Sequence, residues 1–284
     1  MMQEPGAAAA GEIPPMARPG GQAGLRSRGA TETLVWLGRL ALIAGLLGAW
    51  QAASGRWLSD FWFSSPVLIG QRIWEWVDQG VLLAHVWATV AEMGLGFVLG
   101  TSVAVCAAFV LGSYRGIAEI FEPLIIALYN IPKLALAPLL ILWFGIDMTP
   151  KVVLVALVTF FLIFISTYSG IRDVDRDLVN VLRIMGASPM QLFTKVLLPS
   201  SIPWILTGVK ISLPYALTGA VAGEMMVSRE GVGHLVAQSA LMIDMTGVYA
   251  ALTILMVIGV LVDTAVGGGR DSMSHLRNRD LVQV

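Results

Sequence analysis

Apolar residues gather into six long runs: Leu34–Ala53, Val86–Leu111, Ile117–Phe144, Val152–Ile171, Ile205–Val227 and Val248–Val266. Each reaches or nearly reaches the ~20 residues an α-helix needs to cross ~30 Å of hydrocarbon. Helices satisfy their backbone hydrogen bonds internally, so the pattern predicts an all-α polytopic membrane protein with about six transmembrane helices. The third run contains Pro132 and Pro138, which predict a tilt, a kink or a split. Between the first two runs, Val67, Ile73, Trp74, Val77 and Val81 recur at helical spacing. This predicts a short helix outside the bilayer core, either lying on the surface or fully extramembrane.

Composition agrees with the pattern. Hydrophobic residues are 56% of the chain and charged residues 13%, against about 25% charged in a soluble domain. A formal net charge of −1 excludes a global field for nucleic acid or another polyanion. The single cysteine, Cys106, lies inside an apolar run and reads as a packing residue. Residues 1–30 are rich in Ala, Gly and Pro and are expected to form a disordered tail. The run after it competes with a signal peptide, but its late start at Leu34 and its length suit a retained span.

Lys and Arg positions predict the orientation. With the N-terminus inside, the cytoplasmic side collects Arg18, Arg26, Arg28, Arg115, Arg172, Arg176, Arg183, Lys195, Arg270, Arg277 and Arg279. The outside holds Arg56, Arg72, Lys151 and Arg229. Both termini are therefore expected in the cytoplasm. Trp57, Trp62, Trp74, Trp76 and Trp87 cluster between the first two runs, as an aromatic belt at the outer interface would. Gly96-x-x-x-Gly100 and Gly219-x-x-x-Gly223 place small residues on one helix face, without specifying a dimer face.

The most charged stretch joins the fourth and fifth runs, Ile171 to Pro203. Asp173, Asp175 and Asp177 precede Leu178, Val181, Leu182 and Met185 at helical spacing, which predicts a short helix with an acidic N-terminus. Gly186 is placed to stop it. Ser188-Pro189 then predicts an N-cap and first-turn proline, opening a second short helix expected to end at Pro199.

This loop resembles the cytoplasmic signature of permease subunits of ATP-binding-cassette importers: Glu-Ala-Ala, three residues, Gly, nine residues, Ile, one residue, Leu-Pro. Here Gly186 is followed by nine residues, Val196, Leu197 and Leu198-Pro199. The Glu-Ala-Ala positions hold Asn180, Val181 and Leu182 instead. Asn130–Ile146 and Ala222–Val236 also look like the branch that imports nitrate, taurine, alkanesulfonates and similar solutes, and the resemblance covers about Leu83 to Val266. It implies a type I importer transmembrane domain over 83–267, with a cytoplasmic coupling loop at 172–203. The same division leaves a first helix and periplasmic segment at 31–82 and a cytoplasmic tail at 268–284.

The resemblance also implies roles and partners. Gly186 would be the hinge, and Ala187, Ser188, Met190, Gln191, Leu192 and Phe193 the surface that docks on an ATPase, followed by Leu198 and Pro199. Expected partners are that ATPase, a periplasmic solute-binding protein, a second permease copy and the lipid bilayer of the bacterial inner membrane. ATP and Mg would sit on the ATPase. No phosphate loop occurs in this chain, nor a zinc-protease or nucleophile-elbow motif, and His85, His234 and His275 are scattered, so no catalytic or metal role and no cofactor is expected.

Ionisable groups within spans cost roughly 2.5–3.5 kcal/mol each and mark a pathway or a paired structural site. Lys133, beside Asn130 and Pro132, and Glu224 are the pathway candidates, each weighed against an ion pair or a snorkelling side chain. Lys210 has the same two bland readings, and Glu92, Glu119, Glu122 and Asp263 read as structural. An ion-coupled secondary transporter is the rival function, though no inverted repeat is evident. A non-transporting scaffold is another, and the broken third run and Lys133 count against it.

Overall fold

The computed structural model describes residues 24–57, 59–113 and 115–280, with side chains over most of 34–266. Arg18 and residues 1–23 of the expected tail lie outside the described residues, as do residues 281–284; so do the side chains of Arg26, Arg28, Arg115, Arg176, Arg270, Arg277 and Arg279. Every element among the described residues is helical. Residues 1–52 and 53–284 form two units. Among the described residues the first holds α1 (Gly24–Ala53) up to Ala52, and the stretch Leu34–Ala53 is long and apolar enough to span a membrane.

The second unit opens with α2 (Asp60–Phe63) and α3 (Pro66–Asp78). Ser65 caps α3, its hydroxyl accepting from Leu68 N–H at 3.3 Å, and Pro66 occupies the first turn, where it needs no N–H partner. Ile73 and Trp76 pack inward while Val67, Trp74 and Val77 are exposed. A short helix stands where the spacing predicts one, but it ends at Asp78, Val81 begins the next helix, and of the five spaced residues Ile73 alone packs inward on this helix. Then follow α4 (Val81–Ser113), α5 (Arg115–Asn130), a 3₁₀ turn at Lys133–Leu136, α6 (Ala137–Phe144) and α7 (Met148–Arg172). Next come α8 (Arg176–Ile184), α9 (Pro189–Leu192), a π turn at Phe193–Leu197, α10 (Leu198–Val227), α11 (Val232–Leu241) and α12 (Met245–Asp280). Among the described residues five helices can cross a membrane, or six if the bent pair 118–130 and 133–144 counts as one span.

That pair settles the third run as a split, bent by 80°. Pro132 has no N–H to continue α5 and disfavours helical geometry at Ile131, so the helix stops at Asn130. Pro138 breaks nothing, because it falls in the first turn of α6.

Two expectations need correction. Pro199 does not end the second loop helix: helical structure is continuous over Pro189–Val227, 39 residues. In the π turn, Leu198 N–H reaches back five residues to Phe193 C=O. The widened turn carries the chain past Pro199 without its ring meeting the carbonyl four residues earlier. Lys151, counted among the outer loop charges, is instead a buried residue of α7. In addition, α11 lies between the last two runs, where the hydrophobic pattern predicts no element.

The core is built around α7, which packs between α4 and α10. Lipid is as apolar as leucine, so helices associate in it through close van der Waals approach rather than through escape from water. Both glycine pairs serve that approach within this chain. A Cβ on Gly96 would overlap Val155, and one on Gly100 would sit 2.6 Å from Ala156 O. From the other side, Gly219 and Gly223 lie against Val155 and Lys151. Ala104 and Ala108 extend the α4 seam, and Leu154, Val155, Ile163 and Phe164 of α7 are fully enclosed.

Candidate functional site

The loop from α7 to α10 is built by local rules. Asp175 caps α8, accepting from Asp177 N–H at 2.8 Å. At the other end Gly186 takes φ +85°, a left-handed conformation that glycine adopts without Cβ strain. Gly186 N–H donates to Arg183 C=O and Ala187 N–H to Leu182 C=O, both at 3.0 Å. These two bonds are a Schellman stop, which satisfies carbonyls the helix end would otherwise orphan. Three residues on, Ser188 and Gln191 form a reciprocal capping box: Ser188 N–H donates to Gln191 Oε1 at 2.8 Å, and Gln191 N–H to Ser188 Oγ at 3.3 Å. The geometry is therefore two helices meeting at one glycine, each end closed.

The exposed apolar surface of this loop differs from the expected one. Phe193 is not an exposed anchor. Its ring packs edge-on against Phe109 of α4, centroids 5.1 Å apart, and Leu192 is buried. Met190 is exposed, and so is a ridge on α8 formed by Leu178, Val181, Ile184 and Met185, with Ile184 86% exposed. Ser188 and Gln191 are exposed and Ala187 half-buried. Leu198 is half-buried and Pro199 exposed at the start of α10. An apolar ridge on a short helix is the form that docks into a groove on another protein.

At the split in the third span, Lys133 Nζ donates to Tyr129 C=O at 2.5 Å and to Ile131 C=O at 3.3 Å. These carbonyls are ones that the break at Pro132 leaves without helical partners. The ammonium also lies 4.8 Å from the Tyr129 ring centroid and 4.7 Å from that of Phe161. Two such faces at about 0.5–2 kcal/mol each offset much of the cost of a cation in a span. A cavity of about 390 Å³ opens here, lined by Asn130, Lys133, Val158, Leu162, Tyr215 and Thr218 among others. Asn130 uses one amide N–H on Ile126 C=O at 3.0 Å. None of the ion pairs among the described residues gives Lys133 a carboxylate partner.

A second polar cluster lies at the end of the bundle away from the α8 loop. Lys151 of α7 pairs with Glu92 of α4 and donates to Ser228 Oγ at 3.0 Å. Glu224 of α10 is 1% exposed and accepts from Gly233 N–H at 2.6 Å. Thr89 Oγ accepts from Val232 N–H at 2.8 Å, and His85 Nδ1 from Gly231 N–H at 2.9 Å. A cavity of about 560 Å³ adjoins the cluster, lined by Trp87, Glu92, Asp147, Lys151, Ser228 and Glu230 among others.

The three pathway candidates are thus separated in kind. Asn130 and Lys133 line an open cavity, whereas Glu224 is enclosed and occupied by the protein's own backbone. Glu92 is engaged in the ion pair with Lys151 and also lines the 560 Å³ cavity. His85, Thr89 and Lys151 are the polar residues the sequence reading missed; His85, Thr89 and Glu92 at spacings of four and three lie on one face of α4. Among the described residues no cluster of three or more His, Cys, Asp or Glu side chains is placed to hold a metal ion.

Comparison with known proteins places these features. The family model described as binding-protein-dependent transport system inner membrane component matches residues 96–267. A putative aliphatic sulfonates transport permease protein of Bacillus subtilis (strain 168) is 33% identical over 243 residues, 85% of this chain and 88% of that one. A riboflavin transport system permease protein of Chloroflexus aurantiacus is 35% identical over 216 residues, 75% of this chain and 80% of its own. A chain from an inward-facing methionine ABC transporter superposes with a TM-score of 0.59 at 20% identity, covering 66% of this chain and 94% of that chain. That last likeness is one of fold.

Proposed function

The chain belongs to the family of binding-protein-dependent transport system inner membrane components, as a permease subunit of an ATP-binding-cassette importer, and on that premise we propose that it imports a small anion such as nitrate, taurine or an alkanesulfonate. It is a multi-pass inner-membrane transport subunit, not an enzyme. Transport in this reading is driven by a separate ATPase that binds ATP and Mg, with the solute delivered by a periplasmic binding protein. Two copies of the chain form the pathway.

The observation that carries the anion reading is Lys133. Its ammonium is held at the break by two carbonyls and two ring faces, which orient the charge without cancelling it. One of its three N–H groups remains for a solute, in a cavity that Asn130 and Tyr215 also line. The sulfonate name of the Bacillus relative points the same way, and the riboflavin name of the Chloroflexus relative points to a larger, aromatic solute. The rings of Tyr129 and Tyr215 in the cavity suit that second reading.

In the same proposal the 172–203 loop is the ATPase contact, with Gly186 as hinge. Leu178, Val181, Ile184, Met185 and Met190 supply the apolar contact, and the Ser188–Gln191 box keeps α9 in register. Orientation follows from charge. With Lys151 withdrawn into a buried pair, the outer loops retain Arg56, Arg72 and Arg229, and the bias towards cytoplasmic termini grows.

The test is uptake by the permease reconstituted with its ATPase and binding protein. Lys133→Met is expected to reduce uptake of a sulfonate or nitrate at least tenfold while ATP hydrolysis persists. Unchanged anion uptake in Lys133→Met, or uptake of riboflavin in place of every anion, would overturn the anion reading. Topology is read by an impermeant maleimide with Cys106→Ala as background: Arg229→Cys should label on intact cells and Asn180→Cys only after permeabilisation.

A further inference from the structure

Helix α11 begins without a cap of its own. Its N-cap position is Gly231, at φ +111° and with no side chain to offer. The first N–H groups of a helix need acceptors, and here three consecutive ones find them on other helices. Gly231 donates to His85 and Val232 to Thr89, both on α4, while Gly233 donates to Glu224 on α10. Thr89 in turn donates to His85 C=O at 3.2 Å, joining two of the three acceptors. Such a cap exists only while α4 and α10 hold one mutual position.

The fit around it is close and specific. A Cβ added to Gly231 or Gly233 would run into the Glu224 carboxyl. Beyond the cap, α11 presses Val232, Leu235 and Val236 against Ala251, Ile254 and Ile258 of α12. The turn before it, Ser228–Glu230, is tied to α7 through Lys151 and Ser228, beside the 560 Å³ cavity. One turn therefore reports on α4, α7 and α10 together.

The acidic pair Glu224 and Glu92 meets beside Lys151, and each keeps one buried oxygen that no protein donor reaches. A contact that depends on the position of three helices has the makings of a two-state element.

We infer that His85, Thr89 and Glu224 form a lock that seats α11, and that releasing the turn at 228–233 opens the end of the pathway opposite the coupling loop. The inference rests on the reading of the chain as a permease and is independent of the solute. In it, His85, Thr89 and Glu224 are positioning residues: they act on transport through α11 without touching solute.

Hydrogen exchange on the full chain in nanodiscs tests the lock directly. Thr89→Val should speed exchange of the Gly231, Val232 and Gly233 amides as a block, by about tenfold or more, the scale of one lost buried hydrogen bond. Amides in the middle of α7 should not change. In the assembled importer the same variant should hydrolyse ATP without moving solute, and Thr89→Ser, which keeps the hydroxyl, should restore both exchange and uptake. Exchange that rises at Val232 alone, or coupled uptake at the wild-type rate in Thr89→Val, overturns the lock. If wild-type importer moves no anion, the solute reading falls, and block exchange alone then decides the lock.

Discussion

Gly100 and Gly219 offer a controlled comparison, since each sits in a long helix facing α7 and only one has room for a methyl group. An alanine Cβ at Gly100 would lie 2.6 Å from Ala156 O and 3.0 Å from Ala156 Cα. Backbone atoms cannot rotate away, so the substitution must push α4 off α7 along a seam that also holds Ala104 and Ala108. Overpacking commonly costs about 1–3 kcal/mol, and a clash with backbone belongs at or above the top of that range. At Gly219 the nearest atom to an added Cβ is Val155 Cα at 3.4 Å, an ordinary contact. There alanine removes glycine's helix penalty, worth about 0.5–1 kcal/mol in its favour. Because that gain applies at Gly100 as well, it cancels, and the two variants should differ by about 3 kcal/mol, or roughly 100-fold in the folding equilibrium at about 1.4 kcal/mol per tenfold. Reversible unfolding in mixed micelles, followed by tryptophan fluorescence, measures this difference. Equal stabilities, or a Gly219→Ala chain less stable than Gly100→Ala, would refute the claim that the glycine seams set the distances between helices.

Three further outcomes follow from the geometry. Glu92→Leu should destabilise the chain by about 3–5 kcal/mol, because it leaves Lys151 buried and unpaired, and adding Lys151→Met should recover most of the loss in the same unfolding assay. Ile184→Glu with Met185→Glu should abolish co-purification of the ATPase while leaving stability within about 0.5 kcal/mol, since both side chains are solvent-exposed; retained association would remove the α8 ridge from the contact. Ser188→Ala should cost about 1 kcal/mol of local helix stability and raise amide exchange over Met190–Leu192, with a smaller loss of uptake than the α8 double variant; no change in exchange there would mean the capping box does not hold α9.

What was legible in the sequence was whatever local rules decide. Apolar length located the spans, and Asp175, Gly186, Ser188 and Pro189 announced helix ends that the structure builds from those residues. Misreadings came where a distant group decides. Pro199 looked like a stop because proline disfavours the interior of a regular helix, and the π turn before it lets the helix continue. Phe193 looked exposed because nothing in the loop reveals that Phe109, far away in sequence, comes to meet it. Lys151 looked like a loop charge because its partner lies 59 positions earlier at Glu92. For α11, the caps come from His85, Thr89 and Glu224, so no nearby cap residue marks its start.

The continuous helix from Pro189 to Val227 has a mechanical consequence. At about 1.5 Å per residue its 39 residues extend nearly 60 Å, so one continuous member begins at the loop and ends beside Glu224. If it tilts by about 5° around its midpoint, each end swings by roughly 2.5 Å, in opposite directions. A pull that draws Pro189 one way thus carries Glu224 the other, without any signal passing from side chain to side chain. Pro203 and Pro214 interrupt its bonding at two points and set where such a beam would flex first. Packed along α7, such a beam would pivot there, and its two ends would move in opposition.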